Sequence, residues 1–235
     1  MTLSDTFKQA GIRFYHAGIP LPDGSKTAMT ENGIDCTGFD IIYGFDKIKF
    51  SGKSLLDVGC WDGAWAFLAE QQGANVVVGL DNVNFRMWDK GNNSAWEALH
   101  SAFGSKATYV HGTVYSLPFA DHSFDIVYCL GLLYHLTDPL KGLNECFRCA
   151  KERVVVETWG TREKEPTLTL FAPCESNPHD PTNVYRLTEG WLTKVARLNG
   201  FVPVHINTFW GHRLVMQFVR DPSLTPNLHP STVCS

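Results

Sequence analysis

Strand-like and helix-like segments alternate along most of this chain, and this alternation limits the available folds more than any other feature. Apolar runs of strand length recur between Ser54 and Trp159, namely SLLDVGC, NVVVGLD, ATYVHGTV, FDIVYCLGLL and ERVVVETW. Amphipathic stretches of helix length separate most of them, and such alternation is typical of parallel strands joined by crossover helices. We therefore expect an α/β fold, with a doubly wound, mostly parallel sheet and helices on both faces.

The C-terminal part of the chain departs from this alternation. Two strand patterns, FVPVHINTF and RLVMQFVR, are separated by only Trp210, Gly211 and His212. A parallel connection needs a dozen or more residues, so the short link predicts an antiparallel hairpin. The complete prediction is a seven-stranded Rossmann-like sheet that ends in a C-terminal antiparallel hairpin strand.

The domain organisation follows from the extent of these patterns. We expect residues 1–50 to form an N-terminal lid or substrate segment, residues 51–220 the Rossmann-like domain and residues 221–235 a C-terminal tail. The stretch 160–187 is rich in Pro, Thr and Asn and is long for a simple connection, which predicts an inserted substrate loop. With 235 residues and 44% hydrophobic content, the chain can bury one large core.

The turn after the first strand restricts the ligand. Dinucleotide-binding turns have the pattern GxGxxG, in which the middle glycine lets a pyrophosphate approach the backbone. Here Gly59 and Gly63 enclose three other residues, with Trp61 in the middle. No GxxxxGK[ST] motif occurs, and Asp57 at the strand end would repel a triphosphate. NAD, FAD and nucleoside triphosphates are therefore disfavoured.

Two acids stand at the ends of successive predicted strands. Asp57 ends the first strand and Asp81 ends the second. Ligands of open α/β sheets bind outside the carboxyl ends of the strands, so both acids would face one molecule. A cationic amine suits Asp57, and a ribose diol suits Asp81. S-adenosylmethionine carries an ammonium, a carboxylate, a ribose and an adenine but no phosphate, and it fits these residues better than a nucleotide.

From Ser51 to Arg220 the chain resembles the class I S-adenosylmethionine-dependent methyltransferases. The DxGxxxG turn and the acid at position 81 carry this resemblance, together with the stretch HGTVYSLPFADHSFDIVYCLGLLYHLTDPL, which is similar to the adenine-side loop and fourth strand of the family. The family often has an acid where Thr113 stands. The cofactor-binding residues that the resemblance implies are Asp57, Gly59, Cys60, Gly63, Asp81, Asn82, Thr113, Val114 and Leu130.

A narrower resemblance rests on four segments, RFYHAGIPLPDG, GLLYHLTDPL, NVYRLTEGWLTKVARLNGFVPVHI and HRLVMQFVR. They are similar to the bacterial tRNA wobble-uridine carboxymethyltransferase group, which uses carboxy-S-adenosylmethionine and binds the extra carboxylate with a lysine, a tyrosine and an arginine. Tyr134 and Arg213 match two of these residues, and His16 stands at the lysine position. Losing one cation at a carboxylate costs on the order of 1.5–3 kcal/mol, which favours ordinary S-adenosylmethionine.

Methyl transfer by in-line displacement depends mainly on alignment of the reactants. Near-attack geometry can supply ~7–11 kcal/mol, whereas a general base supplies about 3–5 kcal/mol. We expect His135 to be the base for a hydroxyl acceptor and Tyr134 to orient the acceptor, although a packed aromatic and a helix-entry histidine are alternatives. Arg213 could equally pair with a surface acid. The expected substrate-binding residues are Tyr15, His16, Trp159, Tyr185 and Arg213.

Charge and cysteine content indicate the partners and the compartment. A net charge of -4 and a pI of about 6.1 do not favour nucleic acid or an anionic membrane. The sequence shows neither a membrane-length apolar run nor a signal peptide, and its seven cysteines are an odd number, which together predict a cytoplasmic protein with reduced thiols. The lone CxxC of Cys146 and Cys149 falls in a predicted helix, so we expect no metal site.

The segments expected to form the acceptor pocket are largely apolar, and this favours a small organic acceptor. Two alternatives remain open at this stage. One is a tRNA-modifying enzyme, and the other is a cofactor-binding regulatory protein that does not catalyse methyl transfer.

Overall fold

The computed structural model describes residues 1–29, 33–82, 94–172, 174–175 and 182–226. The chain divides into two compact units. The first unit consists of residues 1–41 and 46–113, and the second of residues 42–45 and 114–235.

The first unit contains three parallel strands of the main sheet and a separate parallel pair of strands. Its elements are α1 (Leu3–Gln9), β1 (His16–Ala17), β2 (Ile34–Asp35), α2 (Phe39–Tyr43, which crosses the unit boundary), β3 (Ser54–Val58), α3 (Ala64–Gln71), β4 (Val76–Asp81), α4 (Ser94–Phe103) and β5 (Thr108–His111). Strand β4 pairs in parallel with both β3 and β5, and β1 pairs in parallel with β2. Four of the five residues of β3 are buried, as expected for a parallel strand that is covered on both faces.

The second unit contains the C-terminal part of the fold. Its elements are β6 (Phe124–Leu130), α5 (Pro139–Cys149), β7 (Ala150–Thr161), β8 (Leu168–Leu170), β9 (Tyr185–Thr188), α6 (Glu189–Leu198), β10 (Phe201–Phe209) and β11 (Arg213–Arg220). Strands β6 and β7 are parallel, and β11 pairs antiparallel with both β7 and β10. The predicted α/β class, the mostly parallel sheet and the antiparallel C-terminal hairpin are therefore confirmed.

Local signals in the sequence explain several element boundaries. Helix α5 begins with Pro139, and the Asp138 side chain caps it by accepting a hydrogen bond from the Lys141 backbone N–H at 2.9 Å. Helix α4 begins at Ser94, and the preceding part of the predicted helix-and-loop stretch, residues 84–93, lies outside the described residues.

The stretch 160–187, which the sequence predicts to be an inserted substrate loop, contains strands of its own. Strand β7 extends to Thr161, and β8 and β9 form an antiparallel pair in which β9 also pairs with the end of β7. The TLTL sequence before Phe171 alternates β-branched and apolar residues, and this favours a short strand. None of the helices in the described part of the chain has the length and apolar character that a membrane span requires.

Candidate functional site

The turn between β3 and α3 is held in a left-handed backbone conformation at three positions. Gly59 and Gly63 have φ angles of 77° and 78°, and Trp61 between them has φ 48°. A Cβ atom added to Gly63 would overlap the ring of Trp96, so this glycine is required for packing as well as for backbone freedom. The Trp61 ring lies against Tyr15, with ring centroids 5.8 Å apart.

Asp81 at the end of β4 joins this turn to the neighbouring strand. Its Oδ2 accepts a hydrogen bond from the backbone N–H of Trp61 at 2.9 Å. The backbone N–H of Gly59 also donates to the carbonyl oxygen of Leu80 at 2.8 Å. A carboxylate offers about four acceptor positions, so Asp81 can hold the turn and still accept hydrogen bonds from a ligand.

Asp57 at the base of the turn has an unsatisfied carboxyl oxygen. The residue is 1% exposed, and none of the described residues hydrogen-bonds its Oδ2. Burial raises the pKa of this carboxyl to about 7, with the charges of Asp81 and Asp62 acting in the same direction and that of His16 opposing them. A buried carboxylate with one oxygen left unpaired is costly unless a cation neutralises it. The ammonium of S-adenosylmethionine would provide that partner, so the residues present fit this cofactor.

Asp62 is a site residue that the sequence analysis missed. Its carboxylate is 1% exposed, and Oδ2 accepts the backbone N–H groups of Tyr15 at 3.1 Å and His16 at 3.0 Å. Its Oδ1 accepts the Nδ1–H of His16 at 2.6 Å. Tyr15 and His16, both predicted to bind substrate, are thus held against the turn. The one available signal was a third acid directly before Gly63.

The remaining residues of the predicted cofactor set differ in burial. Cys60 is buried, and this raises the pKa of its thiol well above the usual value. Asn82 is exposed and Thr113 is half-buried in the first unit, while Val114 and Leu130 are buried in the second.

In the second unit, Arg213 forms a bidentate ion pair with Glu157. The Nε–Oε1 distance is 2.5 Å and the Nη2–Oε2 distance is 2.7 Å, and Glu157 is 2% exposed. Nη2 also donates to the Tyr134 hydroxyl at 3.2 Å, and the guanidinium carbon lies 4.6 Å from the centroid of the Tyr134 ring. Burial alone would lower the pKa of Arg213, but the charge of Glu157 outweighs it and holds this pKa well above the usual value.

The ion pair bears on the alternative that Arg213 pairs with a surface acid. The partner of Arg213 is not a surface acid but a buried one, and the sequence analysis missed Glu157. An acid directly after the apolar run VVV, in a strand predicted to be buried, was the signal that could have identified it. Trp159 stands opposite Arg213 in the β7–β11 register, so the structure brings together three of the predicted residues, Tyr134, Trp159 and Arg213.

His135 and Tyr185 lie elsewhere in the second unit. The Nδ1 of His135 is 2.8 Å from the Thr182 hydroxyl and 3.2 Å from the Thr182 carbonyl oxygen. Since a carbonyl oxygen can only accept, this contact favours the tautomer with a proton on Nδ1. Tyr185 is half-buried at the start of β9.

The CxxC residues Cys146 and Cys149 are buried on α5. Within the described ranges, no group of three or more metal-ligand side chains comes together.

The fold and the turn residues agree with the resemblance to the class I S-adenosylmethionine-dependent methyltransferases that the sequence suggests. Residues 56–156 match the family model described as a methyltransferase domain. This match covers less than half of the chain, and it identifies residues 56–156 as a region similar to methyltransferase domains.

Curated relatives match over part of their length. The chain is 32% identical over 98 residues to a tRNA U34 carboxymethyltransferase of Nautilia profundicola, covering 42% of this chain and 31% of that protein. It is 35% identical over 101 residues to a ubiquinone biosynthesis O-methyltransferase of Vibrio cholerae, covering 43% of this chain and 38% of that protein. The matched stretch thus spans less than two fifths of each of these two relatives.

Solved structures share the fold. A magnesium protoporphyrin IX methyltransferase from Synechocystis with bound SAH superposes with a TM-score of 0.59 at 20% identity, covering 79% of this chain and 83% of that one. A 1,6-didemethyltoxoflavin-N1-methyltransferase from Burkholderia thailandensis gives a TM-score of 0.57 at 20% identity, covering 77% and 75% of the two chains.

Proposed function

We propose that the protein transfers a methyl group from S-adenosylmethionine to an oxygen or nitrogen atom of a small organic molecule. The observation that carries this proposal is the buried Oδ2 of Asp57, which none of the described residues hydrogen-bonds, at the end of β3. Asp81 ends the adjacent parallel strand β4, and an acid in that position suits a ribose.

The proposed roles of the cofactor residues follow from their chemistry. The bound cofactor supplies an activated methyl group on a sulfonium. Asp57 accepts a hydrogen bond from the ammonium, and Asp81 accepts hydrogen bonds from the ribose hydroxyls. Gly59 and Gly63 let the backbone approach the methionine part closely. We assign contacts with the remainder of the cofactor to Cys60, Asn82, Thr113, Val114 and Leu130.

On the acceptor side, we propose that alignment supplies more of the rate than proton transfer does. His135 accepts the proton of a hydroxyl acceptor through Nε2, because its Nδ1 contacts Thr182. Tyr134 orients the acceptor. Further acceptor contacts are assigned to Tyr15, Trp159 and Tyr185.

The Arg213–Glu157 pair supports ordinary S-adenosylmethionine over the carboxylated cofactor. Arg213 already makes two hydrogen bonds to a carboxylate, so an additional ligand carboxylate would compete with Glu157. A tRNA-modifying function is the second candidate, because a tRNA U34 carboxymethyltransferase is among the relatives. The net charge of -4 weighs against it, since RNA binding relies on Lys and Arg at the phosphates.

Two measurements test the proposal. Calorimetry with S-adenosylhomocysteine should show one binding site per chain, and absence of binding would overturn the proposal. Label from S-[methyl-¹⁴C]adenosylmethionine should then transfer to a small-molecule cell extract and not to total tRNA. Transfer to tRNA would support the second candidate, and tight binding without transfer to either pool would support a regulatory cofactor binder.

A further inference from the structure

The amino-acid end of S-adenosylmethionine is a zwitterion, and Asp57 provides for only one of its charges. The surroundings of this carboxyl are acidic, because the charges of Asp81 and Asp62 both act on it. A ligand carboxylate in such surroundings needs a cation. His16 of the N-terminal segment can supply this cation when its imidazole is protonated, and its charge then acts on Asp57.

The imidazole of His16 is held in one orientation by contacts within the first unit. Its Nδ1 lies 2.6 Å from Oδ1 of Asp62, and its backbone N–H donates to Oδ2 of the same carboxylate at 3.0 Å. The ring packs edge-on against Trp65, with centroids 5.4 Å apart, and against Tyr15 at 5.2 Å. Because these three contacts already fix the ring, little further conformational freedom is lost when a ligand binds to it.

The second ring nitrogen of His16 remains available to a ligand. Nδ1 is committed to Asp62, and in the part of the chain that the structure describes no residue hydrogen-bonds Nε2. The side chain is 11% exposed, so the ring is largely buried but not sealed. An imidazolium donates from both nitrogens, so a protonated His16 can hold Asp62 through Nδ1–H and a ligand carboxylate through Nε2–H.

We propose that His16, oriented by Asp62, binds the carboxylate of the methionine moiety of the cofactor through Nε2–H. Asp57 and His16 then match the two charges of the zwitterion, and Asp62 is a positioning residue that acts through His16. The inference rests on the proposed function, because it requires S-adenosylmethionine as the ligand of this turn. It also gives His16 a role in cofactor binding in place of the role in substrate binding that the sequence predicted.

Three ligands separate this role from a purely structural one. S-adenosylhomocysteine carries both charges, its decarboxylated analogue keeps the amine alone, and methylthioadenosine lacks both groups. Calorimetry on the wild type should show S-adenosylhomocysteine binding about 10- to 100-fold tighter than the decarboxylated analogue, as expected for one charged hydrogen bond. Equal affinities of the wild type for these two ligands would overturn the inference, and this measurement requires no variant to fold.

Variants then assign the effect to His16. His16→Gln should lose the same 10- to 100-fold for S-adenosylhomocysteine while its affinity for the decarboxylated analogue and for methylthioadenosine stays within about 2-fold of the wild type. Asp62→Asn should reduce the ratio of the two affinities in the same direction. The exposed His212 provides the matched control, His212→Gln, which should keep the wild-type ratio.

The outcomes separate a failure of the His16 inference from a failure of the proposed function. If His16→Gln weakens all three ligands equally, the Asp62–His16 contact is only structural and the inference is wrong, while the proposed function stands. If the wild type binds none of the three ligands, the proposed function itself is wrong.

Discussion

The backbone N–H of Trp61 donates to the Oδ2 of Asp81 at 2.9 Å and so joins the turn after β3 to the end of β4. The left-handed conformation of Trp61, at φ 48°, costs a non-glycine residue roughly 1–2 kcal/mol. Contacts of the ring with Tyr15 and of the amide with Asp81 offset this cost. An indole in the middle of the turn is therefore compatible with a ligand that brings no pyrophosphate.

Asp81→Ala should lower the affinity for S-adenosylhomocysteine by about 10- to 100-fold, because it removes a charged acceptor and loosens the turn. Asp81→Asn should lose less, since its amide oxygen can still accept from Trp61. Calorimetry measures both. The exposed Asp46 gives the control variant Asp46→Ala, and an Asp81→Ala protein with wild-type affinity would exclude the ribose assignment.

Gly63→Ala should destabilise the protein more than Gly52→Ala. Both glycines have nearly the same positive φ, 78° and 74°, but a Cβ at Gly52 meets nothing within 4 Å, whereas one at Gly63 meets Trp96 and Phe67. The pair therefore separates backbone strain, about 1–2 kcal/mol, from overpacking, which adds about 1–3 kcal/mol. Urea denaturation gives the free energies of unfolding, and equal losses in the two variants would show that the close approach to Trp96 is unimportant.

The regular part of the fold could be predicted because its signals are local. Strand-length apolar runs, the cap at Asp138 and the three-residue link before Arg213 each act over a few residues, and the structure confirms them. The glycine turn is equally local. Strand β8 was missed because Leu168–Leu170 has only three residues, too few for a periodic pattern to emerge.

The contacts that organise the candidate site could not be predicted in the same way. Asp62 meets His16 across 46 residues, and Arg213 meets Glu157 across 56. The first pair depends on where the N-terminal segment packs, and the second on the register of β11 against β7. Neither the packing nor the register can be read from the few residues around each group, so the sequence indicated the chemical types but not the partners.

His135→Asn should lower turnover by tens to thousands of fold if the acceptor is a hydroxyl, since a general base supplies up to about 10⁴-fold. Its affinity for S-adenosylhomocysteine should stay near the wild-type value. The assay follows label transfer to the acceptor pool that the wild type methylates. His212→Asn changes an exposed histidine and should keep full activity, and unchanged turnover of His135→Asn would remove His135 from the mechanism.

Glu157→Gln should destabilise the protein by about 3 kcal/mol, because it leaves the guanidinium of Arg213 without its counter-charge in a largely buried position. The double variant Glu157→Gln/Arg213→Met should recover part of this loss, since replacing a buried pair by neutral groups is often tolerated. Urea denaturation measures both free energies. Glu152→Gln, at an exposed position of the same strand, is the control, and a Glu157→Gln protein of wild-type stability would show that the pair is not energetically coupled.

The charged form of Asp57 should bind the cofactor more tightly but destabilise the folded protein, and the balance between these two effects depends on pH. The pKa of its carboxyl is about 7 in the folded protein and about 3.9 in an unfolded chain. Because the pKa is higher in the folded state, the protonated carboxyl of Asp57 contributes fully to the free energy of unfolding below pH ~4. This contribution is lost as the pH rises to ~7.

Relative to Asp57→Asn, which does not titrate, the wild type should therefore lose on the order of 4 kcal/mol of unfolding free energy across that window. Above pH ~7 the variant should be the more stable protein, yet it should bind S-adenosylhomocysteine more weakly because the charge that meets the ammonium is gone. Urea denaturation between pH 5 and 8, with exposed Asp46→Asn as the control, tests the first part, and calorimetry tests the second. A constant stability difference between wild type and Asp57→Asn over this range would show that the buried carboxyl does not carry the raised pKa.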